Sequence, residues 1–175
     1  MNRSIIVKGI LATILVIAIS CSSSNPPAET TTTTTNGLSV SVATSTAGGS
    51  YSPRNVVAIW VENSAGTFIK SMTVYAEARK YDLTRWSTAS AGNTVDAKTG
   101  ATQSSFGTVT GTWNGKDTKG TIVPDGSYKV CMELTDKQGT GNFSSFAFTK
   151  GTTAVTLAPA NVSSFSNISI KWMPL

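Results

Sequence analysis

The chain has 175 residues with 14 Lys+Arg against 9 Asp+Glu, a formal net charge of +5, and no histidine. Without histidine, Ser-His-Asp and Cys-His catalysis, His-ligated zinc or copper sites and histidine-ligated c-type haem are all excluded. No Lys/Arg run tracks a phosphate backbone, so nucleic acid is not an expected partner.

The N-terminus reads as an export signal. Arg3 and Lys8 precede an apolar run from Ile10 to Ile19, and Ser20 stands before Cys21. The run is too short for a helix of ~20 apolar residues spanning ~30 Å of hydrocarbon. Ala18-Ile19-Ser20-Cys21 resembles the lipobox, with alanine where leucine is commoner. That resemblance implies cleavage before Cys21, acylation of Cys21 and a membrane-anchored cell-envelope protein. Ser22 after the lipidated cysteine leads us to expect the outer membrane, facing the periplasm. Removing residues 1–20 leaves 155, and the loss of Arg3 and Lys8 lowers the net charge to +3.

Residues 21–36 form the lipidated cysteine and a linker, with Pro26, Pro27 and the threonine run Thr30 to Thr35 and nothing apolar enough to fold around. The packed part is expected over 37–175, an ordinary size for one core.

From Leu38 onward a period of two dominates, with Val, Ile, Thr and aromatic residues separated by Gly, Asn and Asp. We expect strands near Leu38–Ser45, Val56–Glu62, Thr67–Glu77, Gly107–Trp113, Ser127–Thr135, Asn142–Thr149, Ala154–Leu157 and Asn167–Trp172. Val56 to Val61 is apolar at every position, as in a central strand covered on both faces. Asn63-Ser-Ala-Gly66 and Asp136-Lys-Gln-Gly139 read as hairpin turns. About eight strands with essentially no amphipathic helix imply an all-β fold, two antiparallel sheets packed as a sandwich.

Cys131 shares a strand face with Lys129 and Glu133, and with Cys21 committed to lipid it has no disulfide partner. We read it as a partly buried structural thiol. Asn114, Asp117 and Asp125 are too scattered for a calcium loop. Glu62, Glu77 and Asp82 show no spacing of a carboxylate pair, so no catalytic residue and no metal site is expected.

Trp113-Asn114-Gly115-Lys-Asp117, then Gly120, then Pro124-Asp125-Gly126-Ser-Tyr128, resembles the WDGxDxxGxxxPxGxY signature of bacterial immunoglobulin-like domains, including that of the flagellar hook-capping protein. The resemblance implies an immunoglobulin-like sandwich and says nothing of function.

The stretch from Arg79 to Ser105 does not alternate and is long for a connection in a compact domain. Arg79 to Trp86 is expected to make a short helical turn, with Trp86 either a plug over one end of the sandwich or a ligand-stacking ring. Further on, Asp96-Ala-Lys-Thr99-Gly100-Ala101-Thr102 resembles the D-x-x-[ST]-G-A-[ST] target of the periplasmic flavin transferase. That resemblance implies FMN on Thr102 through a phosphoester bond, with Asp96, Thr99, Gly100 and Ala101 as recognition context and Thr102 exposed. Two readings stand. In one, the chain carries electrons on covalent FMN, with a flavin transferase and a redox partner. In the other, the segment is a structural turn or binding loop without cofactor, presenting Tyr81 and Trp86 to envelope proteins or polysaccharide.

Across nearly all of residues 50 to 175 the chain is similar to the predicted periplasmic protein family, domain of unknown function 2271. The carrying residues are Tyr51 to Glu62, Arg85-Trp86, Val95-Asp96-Ala97, Ala101-Thr102 and Trp113 to Asp117.

Overall fold

The computed structural model describes residues 36–175. The export signal, Cys21 and the linker up to residue 35 lie outside the described residues. Eight strands follow in order: β1 Gly37–Thr44, β2 Val56–Asn63, β3 Phe68–Tyr75, β4 Thr108–Trp113, β5 Gly126–Thr135, β6 Asn142–Lys150, β7 Val155–Leu157 and β8 Phe165–Met173. They form two four-stranded antiparallel sheets, β4-β1-β8-β7 and β3-β2-β5-β6.

The order β3-β2-β5-β6 beside β4-β1-β8 is a Greek-key sandwich of immunoglobulin type, in which C-terminal β8 takes the place beside β1 usually held by a first strand. Tyr128 supplies independent support. It sits at the start of β5, just after the chain crosses between sheets from β4, and its hydroxyl donates to the Pro124 carbonyl at 2.6 Å. This is the tyrosine corner of such folds. The ring packs with Trp113 at 5.6 Å and Phe148 at 6.1 Å between centroids, and Trp172 lies 6.1 Å from Trp113 and 6.4 Å from Phe148, so the four rings close one end of the core.

Between the sheets, alternate residues of β1, β8 and β4 meet Val57, Ile59 and Val61 of β2 and Val130, Met132 and Leu134 of β5. As expected, β2 is central, and its other side chains, Val56, Ala58 and Trp60, are also fully or nearly fully buried. They are covered on the outer face of the second sheet by Ala76, Leu83 and Trp86 from the connection between β3 and β4, together with Cys131. That connection holds one 3-10 turn, Glu77–Arg79, and one short helix, α1, Thr84–Ala89.

Trp86 therefore packs on a sheet face and not over one end of the sandwich. The reason is that the outer face of β2 is itself apolar and needs a cover. Register irregularities also interrupt the alternation read by period. At β8, Ser41 pairs Ser169 while Ala43 pairs Ser166, and Asn167 takes φ 50°, so Phe165 and Ile168 both point inward. Strict alternation is lost there, and β8 starts two residues before Asn167. At β3, Ile59 pairs Thr73 and Trp60 pairs Ser71, leaving Met72 as the extra residue.

Candidate functional site

The connection from Ala76 to Gly107 returns along the edge of β3 and is fastened there. Gly100 donates its N–H to the Val74 carbonyl at 2.7 Å, and its own carbonyl accepts from Ala76 and Glu77, both at 2.9 Å. A Cβ at position 100 would stand 3.3 Å from the Val74 oxygen and 3.5 Å from Tyr75 Cδ1, so glycine suits this close approach.

Asp96 anchors the middle of the connection. Its carboxylate accepts from the Ser71 N–H at 2.6 Å and the Ser71 hydroxyl at 3.3 Å, while Ser71 Oγ accepts from Trp86 Nε1 at 2.9 Å. One serine beside the β3 bulge thus ties strand, helix and loop together. Farther along, Gln103 and Asn55 exchange backbone hydrogen bonds at 3.0 and 3.3 Å.

Thr102 lies between these two fastenings. Its hydroxyl oxygen is buried and has no hydrogen-bond partner, as is true of Thr99. The expectation of an exposed threonine hydroxyl is therefore corrected: Thr102 is half-buried and what it shows to solvent is not its oxygen. Its neighbour Ala101 is exposed. The pull of Gly100 onto β3 on one side and of Gln103 onto Asn55 on the other turns the Thr102 side chain inward.

Thr102 lines a cleft of about 300 Å³ with Arg54, Ala78, Arg79, Gln103 and Ser104. Two arginines and no acidic residue line the cleft. Arg79 lies over the Tyr51 ring, 3.6 Å from its centroid, and its nearest charge is the Asp82 carboxylate at 3.7 Å. Arg54 is exposed and forms no ion pair among the described residues. A threonine that lines a cleft with two arginines fits a covalently attached phosphate once its buried hydroxyl is turned outward, the ester oxygen then being that hydroxyl's and the arginines offsetting the phosphate charge. The smallest motion that brings the oxygen into the cleft is a turn about χ1 to another staggered rotamer.

A second, larger cleft of about 590 Å³ opens over the outer face of the second sheet, between Trp60, Glu62, Thr84, Arg85, Thr140 and Phe143. Arg85 covers Phe143 at 4.4 Å, and Trp60 Nε1 donates to Glu62 at 2.8 Å. Beside it Glu133 is fully buried, accepting from the backbone N–H groups of Arg85 at 3.1 Å and Trp86 at 2.8 Å and, at 3.4 Å, from the Thr84 hydroxyl. It caps α1 from a strand. Burial pushes its carboxyl above the usual range, outweighing the hydrogen bonds that favour the charged form.

Cys131 is fully buried on the same face, more than the partly buried thiol expected. Burial first, and then the Glu62 carboxylate, push its thiol up, so it is poorly nucleophilic. Tyr81 is 69% exposed whereas Trp86 is at 0%, so of the two aromatic residues proposed to meet a partner only Tyr81 is accessible. Among the described residues no three His, Cys, Asp or Glu side chains gather as a metal site would need, and no helix is long and apolar enough to cross a membrane.

Reading by period missed Arg54, Arg79 and Glu133 as parts of sites. The usable signal was the charge in Glu133, on the strand face that carries Cys131 opposite the apolar side chains of β5. A family model described as predicted periplasmic protein (DUF2271) matches residues 37–163, which takes in β1 to β7 and the whole of this connection. No curated protein matches the chain, and no solved structure does.

Proposed function

Because the chain belongs to the predicted periplasmic protein family (DUF2271), we propose that it is a cell-envelope electron carrier with FMN joined to Thr102, not itself an enzyme. In this reading acyl chains on Cys21 hold it to the membrane, and the anchor is in the outer membrane, facing the periplasm. Two or more chains give a firm anchor where one gives marginal binding.

The observation that carries the proposal is the cleft lined by Thr102, Arg54 and Arg79, with the Thr102 hydroxyl left without a hydrogen-bond partner just beneath it. Attachment balances as a transfer from a flavin dinucleotide. The Thr102 oxygen bonds to the flavin-side phosphorus, the pyrophosphate P–O bond breaks, a nucleoside monophosphate leaves with the electron pair, and the hydroxyl proton passes to a base on the transferase. Bound flavin supplies reversible two-electron chemistry. The chain's own contribution is to present Thr102 between two fastened points and to place positive charge beside it.

Co-expression with a flavin transferase, followed by intact mass and in-gel fluorescence, tests this. The expected result is the mass of FMN less water, lost in Thr102→Ala and kept in Thr99→Ala. No added mass, or added mass that survives Thr102→Ala, ends the proposal.

The cofactor-free alternative, a structural or binding lipoprotein, is favoured by a specific observation: Asp96 and Gly100 already have structural work in holding the connection to β3. In that reading the larger cleft and exposed Tyr81 face an envelope protein or polysaccharide. Partners captured by the unmodified protein and lost in Tyr81→Ala would support it.

A further inference from the structure

We infer that Arg54 and Arg79 hold the phosphodiester that links flavin to Thr102. The inference rests on the flavin reading above and adds to it the groups that receive the phosphate.

Both arginines are fixed to the segment that carries Thr102. Arg54 immediately precedes Asn55, whose backbone pairs with Gln103, and Arg79 lies in the 3-10 turn whose first residue, Glu77, donates to the Gly100 carbonyl. The two therefore approach Thr102 from opposite ends of one short stretch, and both line its cleft. Tyr51 holds the Arg79 guanidinium by its ring, with the central carbon 3.6 Å from the ring centroid. The 3.7 Å separation from Asp82 is too long for a hydrogen bond, so that carboxylate offsets charge without occupying donors.

Charge bookkeeping agrees with this ligand. Arg79 and Asp82 sum to zero, and Arg54 leaves one positive charge. A phosphodiester carries one negative charge on two non-bridging oxygens, and the planar guanidinium fork matches such oxygen pairs.

The test uses flavinylated protein made with the transferase, and ³¹P NMR of its single phosphodiester. In the native wild type the resonance is expected to be displaced from its position in urea. Arg54→Gln and Arg79→Gln should each move it toward that position while the flavin mass is retained, and the double variant should lose the displacement. A displacement unchanged in the double variant, or absent from the wild type, overturns the assignment of the arginines and leaves the flavin reading intact. Absence of added mass in the wild type overturns both. Should Arg79→Gln fail to fold, because its stacking on Tyr51 is structural, Arg54→Gln decides alone, since that side chain is exposed and unpaired among the described residues.

Discussion

Asp96 illustrates how one residue can serve two readings. As part of a modification target it would be context for an enzyme; in the fold it accepts two hydrogen bonds from buried Ser71. Asp96→Ala leaves the Ser71 N–H without its acceptor, and an unsatisfied buried donor costs about 1–3 kcal/mol. Urea unfolding should register a loss of that size, with a smaller one for Asp96→Asn, which keeps an acceptor oxygen. Glu133 gives a pH signature. Its folded carboxyl is raised above its unfolded value, so the folded form holds the proton more tightly. Its contribution to stability is full below the ordinary Glu value of about 4.3 and is lost as pH rises through the raised folded value. The urea midpoint of the wild type should therefore decline over that interval relative to Glu133→Gln, in which this titration is gone. A constant difference between the two at every pH would show that Glu133 does not titrate there.

At the scale of elements, α1 is too short to be stable alone, since isolated helices below about 12 residues are marginal. Its stability comes from where it lies. Glu133 satisfies the first N–H groups, and Trp86 fills the space over Val56, Ala58 and Trp60. Trp86→Ala should cost about 3–5 kcal/mol, as for other buried Trp truncations. Trp86→Phe should cost much less, losing mainly the hydrogen bond to Ser71. Thermal or urea unfolding of the two variants checks the order. Equal losses would mean that the indole N–H, and not the volume, holds the connection in place. The strands were the most legible elements. All eight were read from alternation and turns, and the double-faced burial of β2 was visible in the unbroken run from Val56 to Val61. The helix was expected between Arg79 and Trp86, yet α1 spans Thr84–Ala89 with a separate 3-10 turn before it. No local capping signal marks its start; the cap is Glu133, 48 positions from Arg85.

For the whole molecule, the prediction concerns address. Cys21→Ala should shift the protein from the membrane fraction to the soluble periplasmic fraction, with acyl label lost in parallel. Label that stays, or an unchanged membrane fraction, would refute anchoring through Cys21.

The order of apolar and polar residues by itself determined the sandwich, because one buried face per strand forces a period of two, and Asn, Asp and Gly end each run where the backbone must turn. The run before Cys21 likewise carries the expectation of export, since such signals are read as linear segments. Only the tertiary structure decided that Leu83 and Trp86 supply the outer cover of the second sheet, that Asp96 is committed to Ser71, and that Arg54 and Arg79 line one cleft with an inward-turned Thr102. These depend on residues far apart in the chain, 25 positions for Asp96 and Ser71 and 47 for Trp86 and Glu133. Local periodicity records that a side chain is buried; which distant polar group then satisfies it is set by how the sheets and the connection pack.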